Sequence, residues 1–320
     1  LAGTHRENDI VPVDPVEAPL SLSGHIADLR ARAANPDDPV DAQLAATLLA
    51  LMAREHVLSA QPQRWLGAGG TPTTDAEYTG DLTLSPSQFE RALACPLRWF
   101  LTTIGADGPS NAAASLGTLI HAVAEEHPHG SADELEAALE ERIEELGYNL
   151  DTWAGRVADR HARDIVNNLA TYLEGIPGPV EVEQAVSAQV EGVTIRGRMD
   201  RLEHVDEGVR VTDLKTGKSG YSAKNVPDNP QLAAYQMALL ASGERVAGAR
   251  IALLGDDKPK FFDQPRLEGQ ALEDWRDKIR AVAADARGPH FEARPSDAAC
   301  AYCSFDRLCP ARERGHKVVE

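Results

Sequence analysis

The chain has 320 residues, 42% of them hydrophobic, with 50 Asp and Glu against 32 Lys and Arg, so its formal net charge is −18. That length allows one large domain or two modest ones, and the apolar fraction supports a real core. No apolar run approaches the ~20 residues of a membrane span, no secretory leader pattern is visible, and so acidic a chain lacks the broad basic surface of an ordinary nucleic-acid binder. An enzyme whose carboxylates hold metal ions stays compatible with that charge. The chain begins at Leu1, as expected of a domain cut from something larger. Local charge departs from the average: Arg196, Arg198, Arg201, Lys215, Lys218 and Lys224 crowd one region, and residues 307–317 are also basic.

In chain order, Leu44, Leu48, Leu51 and Met52 recur at helical spacing within PVDAQLAATLLALMAREHV and predict a helix. GAGGTPTTDAEYTGD, residues 67–81, is a Gly/Thr-rich break and the candidate domain boundary. LSPSQFERALACPLRWFL follows, where Ser85 with Gln88 makes a capping box, Pro86 takes the first helical position, and Cys95-Pro96 disturbs the helix. SLGTLIHAVAEE predicts a second helix, Ser131 with Glu134 caps a third, and another covers 153–174. The period then changes from 3.6 to 2, so that VEVEQAVSAQV, VTIRGRMDRLEHV and GVRVTDLK read as three strands. NPQLAAYQMALLASG is a helix and VAGARIALLG a strand. Helices, an antiparallel meander, then helix and strand predict an α/β fold with a central mixed sheet. Gly217-Lys218-Ser219 imitates the end of a phosphate-binding loop, but position 212 is threonine where that motif needs glycine.

The stretch GRMDRLEHVDEGVRVTDLKTG, residues 197–217, raises a chemical question. A two-residue loop at Asp206-Glu207 sets position 200 opposite position 213, whereas a bulge at Gly208 shifts that by one. Because side chains alternate along a strand, Val209, Val211, Asp213 and Lys215 share one side, and Asp200 shares a side with Leu202. Both carboxylates thus continue apolar faces. Facing each other half-buried, they would raise a pKa or separate. A divalent cation removes the conflict, since Mg²⁺ and Mn²⁺ prefer hard oxygen ligands. Lys215 projects into the same space, where it can activate or orient a water or stabilise developing charge. A surface salt bridge on an edge hairpin is the alternative that this pattern leaves open.

These residues resemble the core of the PD-(D/E)xK nucleases, with Asp200 at the first acidic position and Asp213-Leu214-Lys215 as the D-x-K. GTLIHAVAEE resembles the helical G-T-x-x-H motif of the RecB-like branch, which implies that His121 is a metal ligand. QLAAYQ resembles its Q-x-x-x-Y motif, which implies that Gln231 and Tyr235 contact DNA or steady the site. The resemblance further implies one or two Mg²⁺ or Mn²⁺ ions held by His121, Asp200, Asp213 and the Leu214 carbonyl, with Asp200, Asp213 and Lys215 catalytic. Glu125, one helical turn after His121, and Glu183, on the preceding strand, stay open as further ligands or solvated acids.

Four cysteines, Cys95, Cys300, Cys303 and Cys309, include a C-x2-C-x5-C run in CAYCSFDRLC. They point to a metal site instead of disulfides, and spacing alone does not separate zinc from an iron–sulfur cluster. One cysteine before the nuclease core and three after it resemble the cluster-bearing nucleases of the AddB, AdnAB and CRISPR-associated types, which implies a [4Fe–4S] staple. Closing a loop of about 200 residues would stabilise by roughly 5 kcal/mol on the chain-entropy arithmetic for disulfides. The resemblance covers about residues 81–315, and the helical lead-in with AQPQRWLG is similar to what precedes the nuclease domain of mycobacterial-type AdnAB helicase–nucleases. It implies residues 1–80 as the end of a motor-subunit region and 81–320 as a nuclease domain closed by a four-cysteine cluster. The implied activity is metal-dependent DNA hydrolysis in double-strand-break end resection, on single strands delivered by a motor domain of the same chain, with a second helicase–nuclease subunit as partner. The implied location is the bacterial cytoplasm. An inactive nuclease-like DNA-binding module and a free-standing CRISPR-associated-type exonuclease are the alternatives.

Overall fold

Alternating strands and capped amphipathic helices account for most of the architecture, seen in a computed structural model. It describes residues 21–62, 77–106, 116–176, 178–218, 220–301, 303–306 and 308–312. Residues 67–76 of the expected boundary segment, Ser219 and the basic tail beyond 312 lie outside the described residues. The chain divides into two compact units, Leu1–Thr74 and Asp75–Glu320. In the first, α1 (Leu22–Ala33) and α2 (Pro39–Arg54) pack through Ile26, Leu29, Ala45 and Leu49. Asp38 caps α2 by accepting from the Asp41 N–H at 3.0 Å, with Pro39 at the first helical position. The helix forms where spacing predicts it, but its buried stripe is the neighbouring one: Ala45 and Leu49 are covered while Leu44, Leu48 and Leu51 stay exposed.

The second unit runs β1 (Thr83–Leu84), α3 (Pro86–Ala94), α4 (Pro96–Thr103), α5 (Leu116–Glu126), α6 (Ala132–Arg142), α7 (Trp153–Glu174), β2 (Val180–Val190), β3 (Val193–Val205), β4 (Gly208–Lys215), α8 (Pro230–Ala241), β5 (Val246–Leu253), β6 (Lys260–Pro265), α9 (Gly269–Arg287) and α10 (Asp297–Cys300). Both capping boxes form, at Ser85 with Gln88 and at Ser131 with Glu134. The sheet is mixed: β2–β3, β3–β4 and β5–β6 are antiparallel, and β1–β3 and β4–β5 are parallel. One core lies between the sheet and α3, α8 and α9, around Phe89, Leu232, Ile251, Trp275 and Ile279. A second lies on the other face among α5, α6 and α7, around Ile120, Leu139, Ile165 and Leu169 with Leu214 and Ala252. The expected α/β architecture is therefore present, with β1, β6, α9 and the short α10 as additions.

Two irregularities of β3 position the site. First, β2 covers one side of β3 from Val193 to Glu203, so β1, at Thr194–Ile195, and β4, from Arg201 onward, share the other side. Between them residues 196–200 face no strand on that side. Tyr235 of α8 fills the gap, its hydroxyl donating to the Arg198 carbonyl at 2.7 Å. Gly197 permits this approach, since a Cβ there would meet Pro86 Cδ at 2.7 Å and Tyr235 Cε1 at 3.2 Å. Second, the alternation slips at Asp200. Val193, Ile195 and Met199 belong to the first core, and so does Leu202, which regular alternation from Met199 forbids. Across from Asp200 in the register stands Glu183, whose φ of 49° places it in the left-handed region.

Candidate active site

Five elements converge on this break. β3 supplies Asp200, β4 supplies Asp213 and Lys215, α5 brings His121 from one helical layer, α8 brings Gln231 from the other, and β2 adds Glu183. The hairpin adopts the two-residue loop: Val205 pairs with Gly208 and Arg201 with Thr212, a register that sets 200 opposite 213. Beyond Arg201–Thr212 the ladder is continued by a side chain, as the Leu214 N–H donates to Asp200 Oδ2 at 2.7 Å. In an extended strand the N–H and C=O of one residue face the same neighbour, so the Leu214 carbonyl is directed toward Asp200. The Lys215 carbonyl faces the opposite way and accepts from the Leu254 N–H at 2.7 Å.

His121 Nδ1 lies 3.3 Å from Asp200 Oδ1. Ligand atoms of His121, Asp200 and Glu183 all lie within 4.8 Å of one another, the one such group of three among the described residues. Asp213 is 4% exposed. Its Oδ1 accepts from Gln231 Nε2 at 2.8 Å, and its Oδ2 lies 2.7 Å from Lys215 Nζ without a hydrogen bond of good geometry. Gln231 Oε1 accepts from Lys215 Nζ at 3.2 Å, so one amide holds both members of the pair. Among the predicted residues, then, His121, Asp200, Asp213, Leu214, Lys215 and Gln231 meet, while Tyr235 is buried and turned to the β3 backbone. Glu125 sits on α5 with its side chain exposed.

Burial pushes the Asp213 carboxyl up to about 6, with Lys215 opposing and Asp200 adding to the rise. Burial would lower Lys215, but Asp213 overrides it and the ammonium is pushed up to about 12. Lys215 is accordingly a fixed cation near neutrality, suited to charge stabilisation and not to accepting a proton. The hydrogen bond to Asp200 raises His121 against the effect of burial. Burial, then Asp200 and Glu125, raises Glu183. Two groups that no sequence pattern marked stand within electrostatic reach of Lys215. They are Glu90 on α3 and Tyr221 after β4, both raised by burial with Lys215 opposing.

The sequence profile of the PD-(D/E)XK nuclease superfamily matches residues 83–310. The chain belongs to that superfamily. The match takes in β1, the split hairpin, α8 and the cysteine-bearing C-terminal stretch of this nuclease-superfamily chain. No curated protein matches it. Among solved structures it is similar to SSO0001, at 16% identity and a TM-score of 0.39, over 84% of this chain and 97% of that one. It is also similar to a Eubacterium rectale protein named as an exonuclease, at 11% identity and a TM-score of 0.42, over 69% and 88%. Divalent metal suits the group formed by His121, Glu183 and Asp200, one imidazole and two carboxylates at a break in the sheet, which Asp213 does not join. Among the described residues no helix is long and apolar enough to cross a membrane.

All four cysteines are unpaired thiols and half-buried. Cys95 joins α3 to α4, Cys300 ends α10, and Cys303 and Cys309 follow. The two stretches are tied together, as the Leu97 N–H donates to Glu292 O at 3.2 Å and Arg98 Nη1 to Ala299 O at 2.8 Å. No three cysteine sulfurs among the described residues fall within 4.8 Å of one another.

Proposed function

We propose that this chain is a divalent-metal-dependent deoxyribonuclease that hydrolyses phosphodiester bonds, acting on single strands as the nuclease part of a helicase–nuclease that resects double-strand breaks. The observation that carries the reading is the split hairpin, with Asp200 bound to His121 and to the Leu214 N–H while Asp213 is locked to Lys215 and Gln231. His121, Asp200, Asp213 and the Leu214 carbonyl would hold Mg²⁺ or Mn²⁺. When bound, such an ion polarises the scissile phosphate and makes its water more acidic. Lys215 presents a permanent positive charge to the phosphate oxygens, and Gln231 keeps that charge aimed. Tyr235 keeps β3 in place without touching the nucleic acid.

The same proposal takes Cys95, Cys300, Cys303 and Cys309 as the ligands of a [4Fe–4S] cluster that staples the two ends of the nuclease unit. Four unpaired thiols on segments already bonded to each other support it. Cytoplasmic bacterial repair, a motor domain and a second subunit belong to the proposal too.

The test is cleavage of single-stranded DNA with Mg²⁺ or Mn²⁺ by the unsubstituted chain, by Lys215→Ala and by Asp213→Ala. Lys215→Ala should lose about 10²–10³-fold in rate while still binding Mn²⁺ in calorimetry, and Asp213→Ala should lose both. A chain that binds DNA but never cleaves it would leave only a nuclease-like binding module.

A further inference from the structure

The arginines of β3 divide into two kinds. Arg201 is fully buried, its Nη2 donating to Pro128 O at 2.9 Å. Arg196 and Arg198 are exposed and project from the face away from the first core, because Ile195, Gly197 and Met199 occupy the alternate positions. On the neighbouring strand Ser187 pairs with Arg196 and Ala185 with Arg198, both small and both exposed. The face is therefore a low, open strip that ends at Asp200, two residues beyond Arg198.

Its two arginines stand side by side on the approach to Asp200. With 50 acidic side chains against 32 basic ones, many arginines elsewhere are tied to carboxylates: Arg163 to three of them, Arg210 to Glu203, Arg250 to Asp263 and Arg280 to Glu191 and Asp277. Arg196 has no carboxylate partner among the described residues. Arg198 has only Glu183, at 3.7 Å. One unpaired and one loosely held guanidinium, adjacent on an open strip that ends at Asp200, are free to take an outside anion. Guanidinium matches phosphate oxygens in pairs. Two strand positions apart, the groups stand about 6.6 Å from each other along β3, an interval that consecutive phosphates of an extended strand can meet.

We propose that Arg196 and Arg198 form a phosphate track on the open face of β2 and β3, which leads the backbone of a single nucleic-acid strand to Asp200. The inference rests on the nuclease reading above but concerns binding, so it is tested without catalysis. A fluorescent single-stranded oligodeoxynucleotide is titrated in EDTA at several salt concentrations with the unsubstituted chain, Arg196→Gln, Arg196→Gln/Arg198→Gln, and Arg280→Gln as a control on α9. Each lost phosphate contact should reduce the slope of log affinity against log salt by about 0.7. The double variant should thus lose about 1.4 from the slope and Arg280→Gln nothing, with thermal melts showing all four folded. A double variant with an unchanged slope overturns the track, even where the parent chain binds and cleaves DNA. A parent chain that neither binds nor cleaves overturns the nuclease reading, and the track with it.

Discussion

Lys215 Nζ lies 2.7 Å from Asp213 Oδ2 and 3.2 Å from Gln231 Oε1, and this contact fixes which protons must move before a cation can enter. With the proposed ligand set, metal binding requires Asp213 ionised and His121 neutral. Asp213 is pushed up to about 6, and His121 is raised by Asp200. Mn²⁺ affinity measured calorimetrically without DNA should therefore rise with pH from 5 to 8, displacing up to two protons at the acid end. A flat profile would contradict this ligand set. The metal-free protein behaves in the opposite sense. A histidine whose folded pKa is raised contributes stability that is fully present below its ordinary pKa and lost as pH rises through the folded value. A carboxyl whose folded pKa is raised costs stability as pH rises from the ordinary carboxylate range to about 6. Both make the chelated protein melt lower at pH 8.5 than at pH 5.5, and His121→Ala should narrow that difference. Tyr235→Phe removes the donor to the Arg198 carbonyl. It should cost about 1–3 kcal/mol in chemical denaturation and leave Mn²⁺ affinity unchanged.

At the level of elements, Gly197 decides how closely α3 and α8 approach the unpaired middle of β3. Gly197→Ala would drive a methyl to 2.7 Å from Pro86 Cδ and should destabilise by about 1–3 kcal/mol, measured by thermal melting. Neither this demand nor the slip at Asp200 is legible in GRMDRLEHV, because both depend on what packs from outside the strand. The regular parts are legible: β2, β3 and β4 occupy the segments that alternation predicts, and α7 spans Trp153–Glu174 as spacing predicts. β6 escapes because its buried position is Gln264, which donates to the carbonyls of Pro227 and Asn229 at 3.0 Å each, a polar anchor that hydrophobic patterning cannot detect. β1 is two residues long and pairs only with β3, too short to carry a period. α9 did carry a signal, in the spacing of Trp275, Ile279, Val282 and Ala286. Asp200 and Asp213 were legible as chemistry at odds with their faces, and His121 only through its resemblance to a family motif. Glu183 was not, since only the register reveals that it stands across from Asp200.

At the scale of the molecule, the net charge of −18 and the proposed arginine track set opposite requirements for DNA: general repulsion, with attraction along the track. Binding should weaken steeply with salt and localise on that path. The proposed staple makes a separate prediction for the entire nuclease unit. Protein purified without air should be brown, and Cys303→Ser should lose the colour and lower the melting temperature of a unit whose active-site residues are unchanged. Retention of colour and melting temperature in that variant would remove Cys303 from the ligand set.

His121 stands on a helix packed in one core, whereas Gln231 stands on a helix packed in the other, and they reach the same break from opposite layers of the sheet. A chain emerging half-finished, with only one of those layers docked, has either no imidazole or no amide at the break. On the proposed nuclease reading, both layers must dock before the site is complete, so folding and the onset of cleavage are coupled.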